Sequence, residues 1–329
     1  MNLPPPAPAA PLWRRLAALV GSALGLAAAP PTVAQPVAVY HGLCDASAAV
    51  ALDALHFVVA SDEDNTLHIY RRGVPDAVAT LPLQGFLGTD KESDLEGAAR
   101  IGNRIYWIAS HGRNASGKLR ADRYRFFATD IDTGASTPGL KPAGSSSASL
   151  LEQMLSATAL KPLRLDEAAR RAPEAEGGLN IEGLADTPEG GLLIGLRNPL
   201  HGGKALVLPL RNPAEVLAGR PADFGAALLL DLQRRGVRSI ERAGSGYLVV
   251  AGPTADSGSF ALYRWSGRGD EAPLLLPQRF DALRPEALFV WPDGTVQLLS
   301  DDGGVETAGI ACKDRPAAQQ RFRSVEIRP

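Results

Sequence analysis

The sequence lacks most of the signals that mark familiar classes of protein. Its charges nearly cancel, with a formal net charge of −2, so no basic surface for nucleic acid is expected. Histidine and cysteine are scarce, at five and two residues, and they form no cluster with the spacing of zinc ligands. No Gly-x-Ser-x-Gly, phosphate-binding loop or His-Glu-x-x-His motif is present. Any chemistry must therefore come from residues that the fold brings together.

Long apolar segments are also missing, apart from one near the N-terminus. Residues 16–29 form an apolar run that follows Arg14 and Arg15 and is too short to span a bilayer. The small residues just before position 35 are typical of a cleavage site. We therefore predict a signal peptide over residues 1–34, cleavage after Ala34, and an exported protein in the periplasm or outside the cell, with no stable membrane span. A retained anchor is the alternative.

Aromatic residues are few, at 6%, whereas glycine is abundant, at 34 residues, which suits short strands and tight turns. One sequence pattern recurs five times. It reads as an apolar strand, a tight turn and a second apolar strand, and its copies begin near residues 45, 94, 180, 238 and 284. Two more strands follow most copies, which gives repeats of about the length of a propeller blade. The sequence thus predicts an all-β, five-bladed β-propeller over residues 35–329. A six-bladed propeller and a stacked β-sandwich are the alternatives.

The outer strands of the repeats are predicted from short apolar runs. Third strands are expected at 66–71, 123–130, 205–210, 260–265 and 321–327. Fourth strands are expected at 78–83, 160–165, 226–232 and 273–276, and the last copy lacks one. Residues 36–40 read as a strand and would complete the last blade, which would close the ring and remove an exposed edge.

The second repeat is longer than the others, because equivalent positions 96 and 182 are 86 residues apart. We predict a partly helical insertion over about residues 133–178. It would contain a Gly/Ser/Pro-rich loop at 133–149 and helices at 150–157 and 166–171, with Ser149 and Asp166 as N-caps. A degenerate sixth blade is the alternative.

The two cysteines, Cys44 and Cys312, lie in the first and last blades. Ring closure would bring these blades side by side, so a disulfide is plausible in an exported protein. Two free thiols are the other interpretation, and the sequence does not decide between them.

One position at the start of each copy carries either serine or glutamate. In a propeller the innermost strand of each blade lines the central channel, so these side chains should form a ring. Three glutamates in one narrow channel cannot all stay ionised without a partner, and Ca²⁺, which takes oxygen ligands in flexible geometry, would resolve the repulsion. Alternatively, each glutamate accepts backbone N–H bonds or pairs with an arginine. The predicted metal ligands are Ser47, Glu96, Glu182, Ser239 and Glu286.

The ends of the second strands should meet at the same mouth of the channel. Arginine side chains there would suit phosphate or carboxylate groups, and an aspartate could act as a general base toward water. A solvated polar rim is the simpler interpretation. The candidate catalytic residues are Asp62, His111 and Asp301, and the candidate substrate-binding residues are Arg113, Arg197 and Asn198.

The starts of three of the repeat copies resemble those of a known family. Cys44-Asp-Ala-Ser, Asp94-Leu-Glu-Gly and Asn180-Ile-Glu-Gly, with the ends of their second strands, resemble the domain of unknown function 3616 family. This implies an exported β-propeller and supplies no established activity. The ring also loosely resembles the calcium-dependent apyrases, five-bladed propellers in which serine and glutamate residues from successive blades hold one calcium ion. The apyrase nucleotide-binding motifs are not recognisable here, and phytase-like esterase propellers are another loose relative.

Two functions follow as hypotheses. The first is a calcium-dependent hydrolase of a phosphate ester or nucleotide, with a small anionic substrate. The second is a non-catalytic propeller that binds a sugar, a peptide or another ligand of the cell envelope. In both cases we expect a monomer that binds no nucleic acid.

Overall fold

The computed structural model describes residues 1–6, 36–255, 257–280 and 283–329. The first helix or strand of these residues begins at Val37. Most of the predicted signal peptide, residues 7–34, lies outside the described residues, so its assignment stays a prediction. Among the residues that are described, none of the helices combines the length and apolarity needed to traverse a bilayer.

Four of the five blades are four-stranded antiparallel sheets formed by consecutive strands. Blade one comprises β2 Ala48–Ala51, β3 His56–Ala60, β4 Thr66–Arg71 and β5 Ala79–Pro82. Blade two comprises β6 Leu95–Ile101, β7 Arg104–Ala109, β8 Phe126–Asp132 and β9 Gly139–Ser147. Blade three comprises β10 Asn180–Asp186, β11 Leu192–Asn198, β12 Ala205–Leu210 and β13 Leu228–Leu230. Blade four comprises β14 Gly236–Ala243, β15 Gly246–Gly252, β16 Ala261–Trp265 and β17 Leu274–Leu275.

The fifth blade joins the two ends of the propeller chain. Its strands are β18 Pro285–Val290, β19 Val296–Ser300, β22 Arg321–Ile327 and the N-terminal strand β1 Val37–His41. Strand β1 pairs antiparallel with β22, with Val37 opposite Val325 and His41 opposite Arg321. The innermost strands contact one another in the cyclic order β2, β6, β10, β14, β18 and back to β2. The predicted five-bladed propeller and its closing N-terminal strand are therefore confirmed.

Short elements connect or decorate the blades. A small hairpin, β20 Glu306–Thr307 and β21 Ile310–Ala311, follows β19. The α-helices are α1 Gln84–Leu87, α2 Leu150–Ser156, α3 Leu165–Ala168 and α4 Pro213–Leu217. Single 3-10 turns lie at Ala121–Arg123, Thr158–Leu163, Cys312–Asp314 and Ala317–Gln319.

The second strand of each blade is buried on both faces. All residues of β3, β11 and β19 are buried, which explains why these strands are mostly apolar and show no regular alternation of apolar and polar residues. Neighbouring blades cover the two faces, and apolar clusters fill the spaces between them. The apolar runs thus mark each blade in the sequence and also form the contacts between neighbouring blades.

An aromatic cluster seals the junction between blades one and five. Tyr40 of β1 is 2% exposed, and its ring lies 5.2 Å from that of Phe57, 5.3 Å from that of Tyr70 and 5.4 Å from that of Phe322. Strand β1 therefore contributes a buried aromatic anchor as well as a row of backbone hydrogen bonds.

A disulfide joins the same two blades. Cys44 precedes β2 and Cys312 follows β21, and their Cα atoms lie 5.8 Å apart. The bond links residues separated by 268 positions in the sequence. Of the two interpretations that the sequence allows for the cysteines, the structure shows the disulfide.

The long second repeat is organised differently from the prediction. Its fourth strand is β9, inside the segment predicted as a loop, and residues 160–165 form no strand. Strand β9 buries only Leu140 and Ala143, because it is the outermost strand of its blade, and so it has too few apolar residues to be recognised. Pro162 lacks an N–H for strand pairing, and the segment around it forms a 3-10 turn.

The insertion proper begins after β9. Helix α2 confirms the predicted helix at 150–157, with Ser149 at its N-cap position, although the serine side chain makes no capping bond. Helix α3 is shorter than predicted, and Arg164, not Asp166, stands at its N-cap. Leu150, Met154 and Leu165 pack into the apolar cluster between blades two and three. No sixth sheet of blade type occurs in the described part of the chain.

Removing β1 should destabilise the whole propeller. Deletion of residues 35–41 removes the Tyr40 anchor and exposes the edge of β22, so we expect a loss of about 3 kcal/mol or more and concentration-dependent aggregation. Thermal melting and size-exclusion elution would be compared with those of a chain that begins at Gln35. Identical melting and elution would contradict the role of β1 in ring closure.

Removing the disulfide should have a comparable effect without changing the fold. Because the bond closes a very long loop, the Cys44→Ser/Cys312→Ser variant should lose about 2–5 kcal/mol in urea unfolding. Reductant should produce the same loss in the wild type and no further loss in the variant, which serves as the control. Detection of two free thiols in the unfolded, unreduced wild type would contradict the bond.

Candidate functional site

A β-bulge marks the start of the innermost strand in blades two to five. The pairing register skips one residue between Leu95 and Gly97 in β6, and equivalent skips occur in β10, β14 and β18. Bulges redirect side chains, and here the bulged residues turn toward the channel. They are Glu96, Glu182, Arg238 and Glu286, and all of them line one cavity of about 470 Å³.

The bulge changes the membership of the predicted ring. In blade four the bulged residue is Arg238, and the next residue, Ser239, points elsewhere. The Ser239 hydroxyl accepts a hydrogen bond from the backbone N–H of Leu288, at 3.2 Å, in the neighbouring blade. The ring residues that line the cavity are therefore Glu96, Glu182, Arg238 and Glu286. Ser47 is buried behind Asp62 and is not part of the described lining. A metal-ligand role of Ser239 stays a prediction that this geometry does not favour.

Arg238 neutralises the ring glutamates on both sides of it. Its Nε lies 2.7 Å from Glu182 Oε2, and its Nη2 contacts Glu286 Oε1. Glu182 also pairs with Arg197, at 3.0 Å, and accepts a hydrogen bond from Asn180, at 2.9 Å. The alternative considered from the sequence, glutamates paired with arginine, thus describes blades three to five.

Arg197 is fully engaged in the same network. Besides Glu182, its guanidinium binds Glu174 of the insertion, at 3.1 Å, and the backbone carbonyls of Pro253 and Ala255. The side chain is buried. It lines the cavity, as the sequence predicts, but its donors already have acceptors.

Blades one and two present carboxylates instead. Asp62, at the end of β3, lies within ligand distance of Asp94 and Glu96, whose oxygens fall within 4.8 Å of one another. Asp62 also groups in the same way with Asp45 and Glu63. The Ser47 hydroxyl donates to Asp62 Oδ1 at 3.3 Å. We name the set Asp45, Asp62, Asp94 and Glu96 the acidic wall.

Cations only partly compensate for the acidic wall. Arg123 pairs with Asp94 at 2.9 Å, from outside the cavity lining. The other side chains of the wall have no ion pair to an arginine or lysine within the described residues. Asp62 and Glu96 are half-buried, so they remain accessible from the cavity.

The pKa values follow from this crowding. Burial, with the charges of Asp94, Glu63 and Asp301, raises the pKa of Asp62 to about 8. Burial raises the pKa of Asp94 to about 6, against the opposing charge of Arg123. Burial and then the charges of Glu182, Asp94 and Asp62 hold the pKa of Glu96 well above its usual range. Without a further cation, these groups are under strong pressure to take up protons.

A carboxyl pair completes this side of the cavity. Asp45 and Asp301 are hydrogen-bonded to each other, and the N–H of Gly303 donates to both, at 2.7 and 2.9 Å. Burial and the bond to Asp301 raise the pKa of Asp45 to about 10. Burial alone would raise the pKa of Asp301, but the bonds from Asp45 and Gly303 outweigh it and lower the pKa. Asp301 is therefore the ionised member of the pair.

The remaining predicted residues lie away from the cavity lining. His111 is buried, stacks on Tyr124 with ring centroids 6.0 Å apart, and donates from Nδ1 to the Ala109 carbonyl. Burial lowers the pKa of His111 to about 4. Its proposed catalytic role stays a prediction.

Arg113 and Asn198 hold the insertion against the blades. Arg113 donates to the carbonyl of Ala169, and Asn198 donates to the carbonyls of Pro173 and Ala175. These bonds place the segment that carries Glu174 beside the cavity. Their substrate-binding roles stay predictions.

Several residues of the cavity and of the acidic wall were not predicted as site residues from the sequence. Asp45 and Asp94 both stand two positions before the ring residue of their blade, a pattern that repeat alignment could have revealed. Arg284 has the same place in blade five, and Lys313 follows Cys312, so the disulfide brings it to the cavity. The lining consists of Asp45, Asp62, Glu63, Glu96, Glu174, Glu182, Arg197, Arg238, Pro253, Ser257, Phe260, Arg284, Glu286, Asp301, Gly303, Gly304 and Lys313.

Solved structures align with this chain at low sequence identity and with TM-scores below 0.5. Glutaminyl cyclase of Myxococcus xanthus is 11% identical, with a TM-score of 0.45 over 88% of this chain and 94% of that one. A putative oxidoreductase (glucose dehydrogenase) from Thermus thermophilus is 12% identical, with a TM-score of 0.44 over 89% and 100% of the two chains. The PQQ-bound aldose sugar dehydrogenase of Streptomyces coelicolor is 11% identical, with a TM-score of 0.44 over 91% and 100%. Similarity this low carries no argument about activity.

Sequence comparison points to one family. A search of curated proteins finds no significant match. A family model does match, over the region that runs from β9 into β18. Residues 140–289 match the model of the family described as protein of unknown function (DUF3616). This match confirms the family resemblance that the motifs of the chain indicate.

Proposed function

We propose that this protein is an exported propeller that binds calcium at the acidic wall of its channel and uses the site to bind and hydrolyse a small phosphate ester. The observation that carries the proposal is the uneven charge of the ring. Arg238 supplies the positive charge for Glu182 and Glu286, whereas Asp62 and Glu96 have no arginine or lysine partner of their own among the described residues. A bound cation would balance the charge of Asp62 and Glu96, as Arg238 balances the charge of Glu182 and Glu286.

The available ligands suit a hard divalent cation. Around Asp62, Asp94 and Glu96 the donor atoms are carboxylate oxygens, with the hydroxyl of Ser47 bonded to Asp62. Neither histidine nor cysteine lines the cavity in the described residues, so a zinc or copper site is not favoured. Calcium accepts six to eight oxygens in flexible geometry, and water would fill the positions that the protein leaves open.

The group of Asp62, Asp94 and Glu96 is a better candidate than the neighbouring group of Asp45, Asp62 and Glu63. Asp45 already bonds Asp301 and the N–H of Gly303, and Glu63 is exposed and lies 3.6 Å from Lys313. The first group includes the ring residue Glu96. Arg123 pairs with its Asp94 at 2.9 Å, but Asp62 and Glu96 have no arginine or lysine partner among the described residues. We therefore assign the ion to Asp62, Asp94 and Glu96, with Ser47 adjacent.

Asp301 is the better candidate for a general base. It lies in the same cavity, and its hydrogen bonds from Asp45 and Gly303 keep it ionised. A carboxylate in this state can accept a proton from water, whereas Asp62 would be committed to the ion. When bound, calcium would act as a Lewis acid toward a phosphoryl oxygen. The residues then divide into ion ligands in blades one and two and a base at the end of β19.

Calcium should raise the melting temperature of the wild type, because it binds only the folded state. At a calcium concentration 100 times Kd the gain is about 2.7 kcal/mol, or roughly 5 °C. Asp62→Asn and Glu96→Gln should lose this response. Without calcium, Asp62→Asn should melt at or above the wild-type temperature, because it removes a buried carboxyl that must take up a proton when no cation is bound.

Asp223→Asn is the matched control, since Asp223 is 56% exposed and pairs only with an exposed arginine on the surface described. It should keep the full calcium response. Equal melting temperatures of the wild type in chelator and in excess calcium would refute the site.

A phosphate-release assay tests the catalytic part. Nucleoside di- and triphosphates, sugar phosphates and phytate would be offered with calcium and with chelator, and release should require calcium. Asp301→Asn should lower kcat by about 10²–10⁴-fold and keep the calcium-induced rise in melting temperature, because it removes a base and no ligand. Absence of release from every substrate, with calcium bound, would favour the non-catalytic binding propeller.

A further inference from the structure

The cavity contains two kinds of cation. Arg197 and Arg238 are buried, and their guanidinium groups are held by glutamates and carbonyls. Arg284 and Lys313 are exposed at the rim of the same cavity. Only the second pair is placed to meet a ligand from solvent.

The rim cations are weakly engaged. Lys313 is 50% exposed, and its nearest carboxylate oxygen, on Glu63, lies 3.6 Å away, which makes a weak surface pair. Arg284 forms no ion pair within residues 36–255, 257–280 and 283–329, although its charge acts on Asp301. Their positive charge is therefore available to an incoming anion.

The turn after β19 lies between the two rim cations. The backbone N–H of Lys313 donates to the Gly303 carbonyl at 3.2 Å. Arg284 Nη1 stands beside Gly304, at 3.7 Å from where a Cβ would project. The carboxyl pair Asp45 and Asp301 bonds to Gly303 on this same turn. Lys313 also acts electrostatically on Asp45 and Asp62 of the acidic wall.

The described lining offers few apolar contacts to a neutral ligand. Phe260 is the single aromatic residue of the described lining, and the Arg238 guanidinium lies over its ring, 5.6 Å from the centroid. The cavity thus offers little of the stacking surface that sugars and bases use. A guanidinium and an ammonium beside a hard cation are instead a donor set for phosphate.

We infer that Arg284 and Lys313 form the subsite that recognises the phosphate group of a phosphate ester, next to the ion at the acidic wall. The inference rests on the proposed calcium site, because without an ion the carboxylates of the wall would repel a dianion. It replaces Arg113 and Arg197, the arginines that the sequence indicated for this role, with two residues whose charges are free to bind substrate.

The test measures phosphate binding by calorimetry on the purified protein. Inorganic phosphate and phenyl phosphate are titrated into the wild type in saturating calcium, below the concentration at which calcium phosphate precipitates, and again in chelator. The rim variant is Arg284→Gln/Lys313→Gln. The control is Arg211→Gln/Lys141→Gln, which makes the same charge change at side chains 63% and 72% exposed and outside the cavity.

Both phosphate ligands should bind the wild type in calcium and not in chelator. The rim variant should bind both at least tenfold more weakly, whereas the control should match the wild type. Calcium affinity without phosphate should be unchanged or higher in the rim variant, because two positive charges near the wall are gone. A rim variant that is only misfolded would lose calcium binding as well.

Other outcomes separate the two proposals. Calcium binding by the wild type without phosphate binding would overturn the subsite and leave the calcium site standing. Equal weakening in the rim variant and the control would overturn it as well, by showing a general charge effect. Binding of inorganic phosphate but not phenyl phosphate would overturn the assignment of an ester as ligand. No calcium binding at all would overturn the proposed function itself.

Discussion

The ion pairs of Arg238 with Glu182 and Glu286 determine the electrostatics of the whole channel. Buried carboxylates require a nearby positive charge or a proton, and these pairs supply the charge for three of the five blades. Because the guanidinium is fixed between blades three and five, it leaves Asp62 and Glu96 of blades one and two without an equivalent ion pair among the described residues. The proposed ion and its off-centre position both follow from this imbalance.

Ring closure builds the rest of the cavity. Strand β1 and the disulfide Cys44–Cys312 hold blade five against blade one. The same contacts bring Asp45 and Lys313, which are next to the cysteines in the sequence, into the cavity lining. Structural closure and the arrangement of charged groups are therefore not independent, and a variant that loosens the junction should disturb both.

Much of the fold could be predicted from the sequence because a propeller repeats one packing solution. Each buried second strand reads as an apolar run. The strand at residues 36–40 lies before the first repeat, and the last repeat lacks a fourth strand, so the two can be matched. Strand β9 escaped prediction because an outermost strand buries little, and its Gly/Ser/Pro-rich sequence resembles a loop. A pattern of hydrophobicity cannot report a strand that contributes almost nothing to the core.

The site was predictable only in part, for a geometric reason. Repeat position correctly brought Glu96, Glu182 and Glu286 to one cavity. In blade four it selected Ser239, one residue too far, because this serine matches Ser47 and no glycine follows Arg238 as Gly97 follows Glu96 and Gly183 follows Glu182. The engagement of Arg197 depends on Glu174 and on carbonyls from distant loops, which no local pattern encodes.

The most direct test of the uneven ring is to locate the ion itself. Crystals grown with calcium would be measured at a long wavelength, and an anomalous difference map would show where calcium binds. We expect one peak off the channel axis, within coordination distance of Asp62 and Glu96, with Arg238 still between Glu182 and Glu286. A peak on the axis with Arg238 turned away, or no peak in the cavity, would contradict it.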